Sequence, residues 1–125
     1  MIFQVGAALL DACVLSALRH EDTYGYVLTQ TLRNTLEISE STLYPVLRRL
    51  QKDEFLSTYD RPWQGRNRRY YSITDKGLAQ AEVYRGGWQE YKARVDSLIF
   101  AETPAWQMEA AAEDADANDG RGRKQ

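Results

Sequence analysis

The sequence predicts a mainly α-helical chain with a small β-hairpin, an α+β class with the element order of a winged helix-turn-helix and a long C-terminal dimerisation helix. Apolar residues first recur at helical spacing in three successive segments before residue 51. Two segments rich in aromatic and β-branched residues then flank a turn-forming stretch, which is typical of a hairpin. A last helical segment extends from residue 74 to about residue 100.

The first three helices follow from apolar spacing and capping residues. The spacing predicts a first amphipathic helix over residues 5–19, and Asp22 or Thr23 as the N-cap of a second helix. Ser39 is a favourable N-cap for a third helix, in which Pro45 removes one backbone hydrogen bond. The inward stripe of this third helix consists of Leu43, Val46, Leu47 and Leu50.

The predicted hairpin follows the third helix. Residues 55–61 and 67–73 are the two strands, because both are rich in aromatic and β-branched side chains. Residues 62–65 include proline and glycine and supply the turn between them.

The last helix is predicted to begin after Thr74, which offers an N-cap, and to end near Phe100. Gly86 and Gly87 lie in its middle, and each lowers helical stability by about 1 kcal/mol relative to alanine. We therefore expect a weak point or the close approach of another backbone at this glycine pair.

The charge of the chain is unevenly distributed. Its formal net charge is -2, yet residues 41–73 hold seven basic and three acidic side chains. Residues 101–120 hold six acidic and no basic side chains, and few apolar anchors. We therefore predict a winged helix-turn-helix DNA-binding domain over residues 1–73, a dimerisation helix over 74–101 and an acidic tail over 102–125 that is mostly disordered, with room for a short helical stretch.

The sequence offers little support for catalysis. Cys13 is the only cysteine and His20 the only histidine, which excludes an intramolecular disulfide and a metal site built on paired thiols. No nucleophile elbow or phosphate-binding glycine loop is present. We expect no enzymatic activity, no metal, no cofactor and no membrane association, and the cysteine usage favours a reducing, cytoplasmic compartment.

The third helix has a polar side suited to DNA. Three hydroxyl-bearing residues lie near its N-terminus: Ser41, Thr42 and Tyr44. Their hydroxyls could reach phosphates or base edges, although capping and ordinary solvation are the simpler alternative, and capping is favoured for Ser39. Arg48 and Arg49 lie toward the far end of the helix, where we expect phosphate contacts from the pair and one arginine facing away.

The hairpin carries the densest basic run of the chain. Its tip and the strand after it contain Gln64, Gly65, Arg66, Asn67, Arg68 and Arg69. Strand alternation places Arg66 and Arg68 on one face of the hairpin and Asn67 and Arg69 on the other. The two pairs of side chains therefore cannot enter the same DNA groove. Turn formation alone would also explain Gly65.

An apolar stripe on the last helix predicts a second subunit. It consists of Tyr84, Trp88, Tyr91, Val95 and Leu98 or Ile99. A lone helix cannot bury such a stripe, so we predict a homodimer, with Phe3, Leu9 and Leu10 joining the interface. Packing is the default role of these side chains, but a gap beside Trp88 and Tyr91 would also accept planar aromatic or cationic ligands.

Four blocks of the sequence carry a family resemblance. They are Tyr24-Gly25-Tyr26, residues 41–50, residues 65–77 and Trp88. These blocks resemble the signature blocks of PadR-type transcriptional regulators, over residues 7–100 or so. The length of the chain is similar to that of the shorter, LmrR-like branch, which has one dimerisation helix.

The resemblance implies a bacterial, cytoplasmic homodimer that binds double-stranded operator DNA as a repressor, with long C-terminal helices exchanged between subunits. It places the recognition helix at residues 41–50 and the wing at residues 61–71, and it adds Tyr24 to the DNA-binding candidates. It also implies that a hydrophobic or aromatic effector at the dimer interface, beside Trp88, relieves repression.

Two other functions fit the same elements. The hairpin could contact a protein in a module without specific DNA affinity, although its arginine density argues against this. The aromatic stripe could instead make ligand binding the primary role. The acidic tail could also compete with DNA for the basic hairpin.

Overall fold

The computed structural model describes residue 3 and residues 5–119 of the chain. The elements are α1 (Ala7–Ala17), β1 (Thr23–Tyr24), α2 (Gly25–Leu36), α3 (Glu40–Lys52), β2 (Leu56–Trp63), β3 (Arg66–Ile73), α4 (Asp75–Ile99) and α5 (Ala105–Asp119). The chain divides after Trp88 into two compact units, which are described separately. No helix among the described residues is long and apolar enough to cross a membrane.

The core of the first unit is made mainly of leucine. Its buried members are Leu10, Val14, Leu15, Leu18, Leu28, Leu32, Leu43, Leu47, Leu50, Leu56 and Ala81. They come from α1, α2, α3, β2 and the start of α4, so each helix contributes the apolar face that its spacing predicts. Leu10 is 3% exposed within the single chain. It is therefore a core residue, which corrects its predicted place in the dimer interface.

The three strands form an antiparallel sheet in the order β1-β3-β2. β2 and β3 pair from Leu56 opposite Ile73 to Trp63 opposite Arg66, and β1 pairs with β3 through Tyr24 opposite Tyr70. Residues directly opposite each other lie on the same face of a sheet. Leu56 and Ile73 lie on the face that packs on the core, which we call the inner face.

The caps of α3 and α4 confirm the sequence prediction, whereas that of α2 does not. The Ser39 hydroxyl accepts a hydrogen bond of 3.3 Å from the Thr42 N–H, and the Thr74 hydroxyl accepts one of 3.0 Å from the Gly77 N–H. The N-cap of α2 is Tyr24, without a side-chain hydrogen bond, so Asp22 and Thr23 were wrongly predicted. Local capping preference was overridden because Thr23 and Tyr24 pair with β3.

The hairpin turn is tighter than predicted. Only Gln64 and Gly65 lie between the strands, with φ angles of 49° and 81°. Two successive positive φ values are typical of the two-residue turns that match strand twist. Pro62 therefore lies in β2, opposite Asn67, where an edge strand tolerates the missing N–H.

Gly77 allows α4 to begin close against the hairpin. A Cβ at this position would lie 2.2 Å from the Phe55 carbonyl oxygen and 2.7 Å from Ile73 Cγ1. The Thr74 hydroxyl also donates a hydrogen bond of 2.7 Å to the Glu54 carbonyl. The first turn of α4 is thus fixed to the end of α3 and the start of β2.

The segment after residue 104 contains a helix, Ala105–Asp119, whose Trp106 and Met108 side chains are 72% and 65% exposed. Alanine, the best helix former, favours a helix here without needing a core contact. The disorder of the acidic tail stays a prediction. The rest of the predicted tail, residues 120–125, lies outside the described residues.

Candidate nucleic-acid interface

Hydroxyl groups cluster at the N-terminus of α3. The Ser39 Oγ atom lies 2.9 Å from Ser41 Oγ and 3.0 Å from Thr42 Oγ1, and all three residues are exposed. The helix N-terminus also carries partial positive charge from its unpaired amides. Capping and anion binding are therefore compatible here, because the same exposed hydroxyls can serve both.

The exposed side of α3 meets one face of β3 around Tyr71. Burial raises the pKa of the Tyr71 hydroxyl above its usual value, the nearby Arg69 and Arg48 lower it, and Tyr44 raises it. Tyr44 is 44% exposed and Arg48 is exposed. One arginine from the helix and one from the hairpin thus lie close to a single tyrosine, which brings the two predicted DNA-contacting elements together.

Arg49 extends toward α1, although its side chain stays 44% exposed. Its Nη2 and Nη1 atoms donate hydrogen bonds of 2.5 Å and 3.1 Å to the two carboxylate oxygens of Asp11 on α1. The Asp11 side chain is only 10% exposed, and its hydrogen bond is the main cause that raises the pKa of Arg49. Arg49 is therefore corrected from a DNA contact to a link between α1 and α3. One arginine of the pair Arg48 and Arg49 was expected to face away from the DNA, and Arg49 is that arginine.

The hairpin arginines alternate between its two faces as predicted. Arg69 lies opposite Asp60 on the inner face, with 3.7 Å between Arg69 Nε and Asp60 Oδ1. Both side chains are more than half exposed, so this ion pair is weak and leaves Arg69 available to DNA. Asn67 lies on the same face, opposite Pro62.

The outer face of the sheet carries arginines stacked on aromatic rings. The Arg68 Cζ atom lies 3.5 Å from the Trp63 ring centroid and 4.1 Å from the Tyr24 ring centroid. Arg61 Cζ lies 5.2 Å from the Tyr70 centroid and 5.7 Å from that of Tyr59. The rings of Tyr59 and Tyr70 stack at 5.4 Å.

Sequence reasoning placed Arg61, Trp63 and Tyr70 within the predicted wing without assigning them a role, and it missed Tyr59 on this outer face. The hairpin register could have found them, because a turn at Gln64 and Gly65 places Trp63 opposite Arg66 and Arg61 opposite Arg68. A concavity of about 450 Å³ lies beside this face, lined by Tyr24, Tyr26, Arg66, Asn67 and Arg68. Its basic lining suits a phosphate group.

The predicted dimer-interface and effector residues differ in exposure. Tyr84 packs against the core, while Leu9 and Val95 are partly buried. The others are exposed, at 45% for Trp88, 61% for Tyr91, 71% for Leu98, 61% for Ile99 and 76% for Phe3. Phe3 lines a concavity of about 380 Å³ with Leu36, Ile38 and Thr42, near the N-terminus of α3.

The described residues contain no group of three or more His, Cys, Asp or Glu side chains placed to hold a metal ion.

Comparison with known proteins identifies the family. Residues 14–83, which extend from α1 into α4, match the family described as transcriptional regulator PadR-like. The chain belongs to the PadR-like family of transcriptional regulators. This confirms the resemblance that its signature blocks carry. The transcriptional regulator Rv3488 of Mycobacterium tuberculosis is 35% identical over 94 residues, which cover 74% of this chain and 86% of that protein.

Two solved structures, one of them a PadR-like transcriptional regulator, are similar to this chain over most of its length. A PadR-like transcriptional regulator of Bacillus cereus has 34% identity and a TM-score of 0.68, over 74% of this chain and 93% of its own. The protein smu.1704 of Streptococcus mutans has 37% identity and a TM-score of 0.74, over 82% of this chain and 97% of its own. The winged helix-turn-helix prediction is therefore confirmed.

The PadR match includes the candidate DNA interface and ends before Trp88 in α4. α3, the hairpin and Tyr24 all lie within residues 14–83, whereas Trp88, Tyr91 and the apolar residues after them lie beyond it. The family assignment thus supports the transcriptional role. Assignment to the LmrR-like branch stays a prediction.

Proposed function

We propose that this PadR-family chain is a repressor that binds operator DNA as a homodimer. The observation that carries the proposal is the cluster of exposed hydroxyls at the N-terminus of α3, at Ser39, Ser41 and Thr42, on a helix that packs against the arginine-rich hairpin within the matched residues 14–83. A helix that fits the major groove and a basic hairpin beside it are a known way to hold duplex DNA. In this proposal, Ser41, Thr42 and Tyr44 face the groove, while the arginines contact phosphates.

The proposal is tested by fluorescence anisotropy with labelled DNA from the region upstream of the gene and a scrambled duplex, over a series of salt concentrations. We expect tighter binding to the upstream duplex and a steep loss of affinity with salt. Arg48→Gln should lower the magnitude of the salt slope by about 0.9, the value for one phosphate contact. A slope unchanged by Arg48→Gln would remove that side chain from the interface.

Arg94→Gln is the matched control for Arg48→Gln. It removes the same charge from the exposed part of α4, where Arg94 is 75% exposed and pairs only loosely with Glu90 at 3.8 Å. We expect its DNA affinity and salt slope to equal those of the wild type. Equal losses in the two variants would show a general charge effect and no specific contact by Arg48.

The homodimer is proposed from the exposed apolar side chains of α4. Only Gly77 and Ala81 are buried along its 25 residues, while Val83, Trp88, Tyr91, Leu98 and Ile99 are exposed. A soluble protein covers a stripe of this kind with a partner, and a two-fold dimer matches a palindromic operator. Light scattering after gel filtration should give twice the chain mass of 14.4 kDa. Leu98→Asp should shift it toward the monomer.

The effector is proposed to be a planar hydrophobic or aromatic molecule that stacks near Trp88 and Tyr91 of the dimer and relieves repression. Large rings at partly exposed positions supply the stacking surface, and a cationic ligand would gain cation–π attraction. Acridine orange is a suitable probe. Its binding to the DNA-free dimer should weaken at least tenfold in Trp88→Leu and stay unchanged in Trp106→Leu. Normal affinity in Trp88→Leu would exclude this site.

A further inference from the structure

Arg68 is held between two aromatic rings from two different strands. It lies on the central strand β3, Trp63 lies on β2 and Tyr24 on β1, so the rings come from either side of it. The centroid distances of 3.5 Å to Trp63 and 4.1 Å to Tyr24 are well within cation–π range. At these distances the guanidinium lies against both rings, as stacking through its faces requires.

The edges of the same guanidinium remain available. Among the described residues, Arg68 has these two aromatic partners and no acidic one, whereas Arg69 pairs with Asp60 and Arg49 with Asp11. A guanidinium donates hydrogen bonds in its own plane, so stacking leaves its N–H groups free to bind an anion. The fork of N–H groups matches the oxygens of a phosphate.

We propose that Trp63 and Tyr24 are positioning residues that hold Arg68 for a bidentate contact with a DNA backbone phosphate. This inference rests on the proposed DNA-binding function and adds a specific device to it. A free arginine side chain loses rotamer freedom when it binds, whereas the stacked Arg68 is already ordered. The rings thus act through Arg68 and need no DNA contact of their own. The concavity beside Arg68, lined also by Arg66, gives the phosphate room.

The test is a double-mutant cycle on the full chain. Wild type, Trp63→Leu, Arg68→Gln and the double variant are compared by anisotropy over a series of salt concentrations. We expect Trp63→Leu to weaken binding by about threefold to tenfold, the effect of freeing one long side chain, and to lower the magnitude of the salt slope by a measurable fraction of about 0.9, the value for one phosphate contact. In the Arg68→Gln background, Trp63→Leu should have no further effect, because the residue it positions is gone.

Two further variants separate positioning from folding. Trp63→Phe keeps a ring under the guanidinium and should retain most of the affinity and the full salt slope. Trp106→Leu removes an exposed tryptophan outside the hairpin and should change neither. Urea unfolding of every variant identifies any loss of affinity that follows from loss of the fold.

The outcomes distinguish this inference from the proposed function. A phosphate contact carries no sequence information, so the cycle can be measured on the upstream and the scrambled duplex alike. If Trp63→Leu weakens binding equally in both backgrounds, or leaves the salt slope unchanged, the inference fails while DNA binding stands. If Arg68→Gln binds as tightly as the wild type, Arg68 makes no contact and the inference also fails. If the wild type binds no DNA, both fail.

Discussion

Two regions of the first unit use arginine in opposite ways. At the junction of α1 and α3, Arg49 makes a two-point contact with the nearly buried Asp11 and links two helices. On the outer face of the hairpin, Arg68 stacks between Trp63 and Tyr24 and has no acidic partner among the described residues. The first arginine is neutralised within the chain, whereas the second keeps its charge available.

The difference indicates that partners, and not charge density, separate a structural arginine from one that is proposed to contact DNA. Arg48 and Arg49 are adjacent in the sequence and have the same chemistry, yet only Arg49 contacts Asp11. Helical geometry places neighbours about 100° apart, so one of an adjacent pair can face the core while the other faces solvent. A basic run thus fixes the net charge of a surface and leaves the role of each side chain open.

The largest expected effect comes from breaking the junction. Arg49→Met should lower the free energy of unfolding by about 3 kcal/mol, because it leaves the Asp11 carboxylate buried without its partner. We use the lower end of the cost of removing one partner from a buried ion pair, because the Arg49 side chain itself is 44% exposed. Urea unfolding measures the effect. Arg48→Met is the matched control and should stay within about 0.5 kcal/mol of the wild type.

The double variant Asp11→Leu, Arg49→Met sharpens this prediction. It removes both charged groups and should recover most of the lost stability, because an apolar pair can replace a buried ion pair. If Arg49→Met alone unfolds at the wild-type urea concentration, the Asp11 contact contributes nothing and Arg49 returns to the DNA-binding candidates.

The next largest expected effect compares Gly77, which is in close contact with its neighbours, with Gly86, which has space around it. Gly77→Ala should lower the free energy of unfolding by about 2 kcal/mol, because the added Cβ would lie 2.2 Å from the Phe55 carbonyl oxygen. A Cβ added at Gly86 would meet no atom of the described residues within 4 Å. Gly86→Ala should therefore stabilise the helix by up to about 1 kcal/mol. Thermal unfolding of the two variants compares them directly. A destabilised Gly86→Ala variant would instead indicate the close approach of another backbone there, as the proposed homodimer would provide.

Local signals predicted the elements that depend on local chemistry. Ser39 and Thr74 were found as N-caps because a hydroxyl before a helix satisfies its own amides, whatever lies elsewhere. The strands of the hairpin followed from β-branched and aromatic residues with a turn between them. The third helix, α3, and the basic hairpin could therefore be located from the sequence.

Contacts between distant residues could not be predicted in this way. The partner of Arg49 lies 38 residues away, and no local pattern selects Asp11 over other acidic residues. β1 has only two residues and exists because Thr23 and Tyr24 pair with β3. The stacking of Arg68 on Trp63 required the register of the hairpin, which a one-residue shift of the turn would have changed.

The hairpin turn itself gives a smaller effect. Gly65→Ala should lower the free energy of unfolding by about 1 kcal/mol, because an L-residue is strained at its φ of 81°. Gln64→Asn should act in the opposite direction, by about 0.5 kcal/mol, because asparagine tolerates the positive φ of 49° better than glutamine. Urea unfolding distinguishes the two signs. Equal stabilities for both variants would show that the turn geometry does not constrain this residue pair.

The smallest effect concerns pH and the inner face of the hairpin. Burial is the largest cause that raises the pKa of the Tyr71 hydroxyl. The folded chain therefore holds the phenolic proton more tightly than the unfolded chain, whose tyrosines have a pKa of about 10. The stabilisation is fully present below about pH 10 and is lost as the pH rises through the higher folded pKa. Tyr71→Phe should therefore lose less stability than the wild type between pH 9 and about pH 11, measured by urea unfolding. Identical pH profiles would mean that Tyr71 ionises as easily in the folded chain as in the unfolded chain. The surroundings of Tyr71 between α3 and the inner face of the hairpin would then be more open to water than their packing indicates.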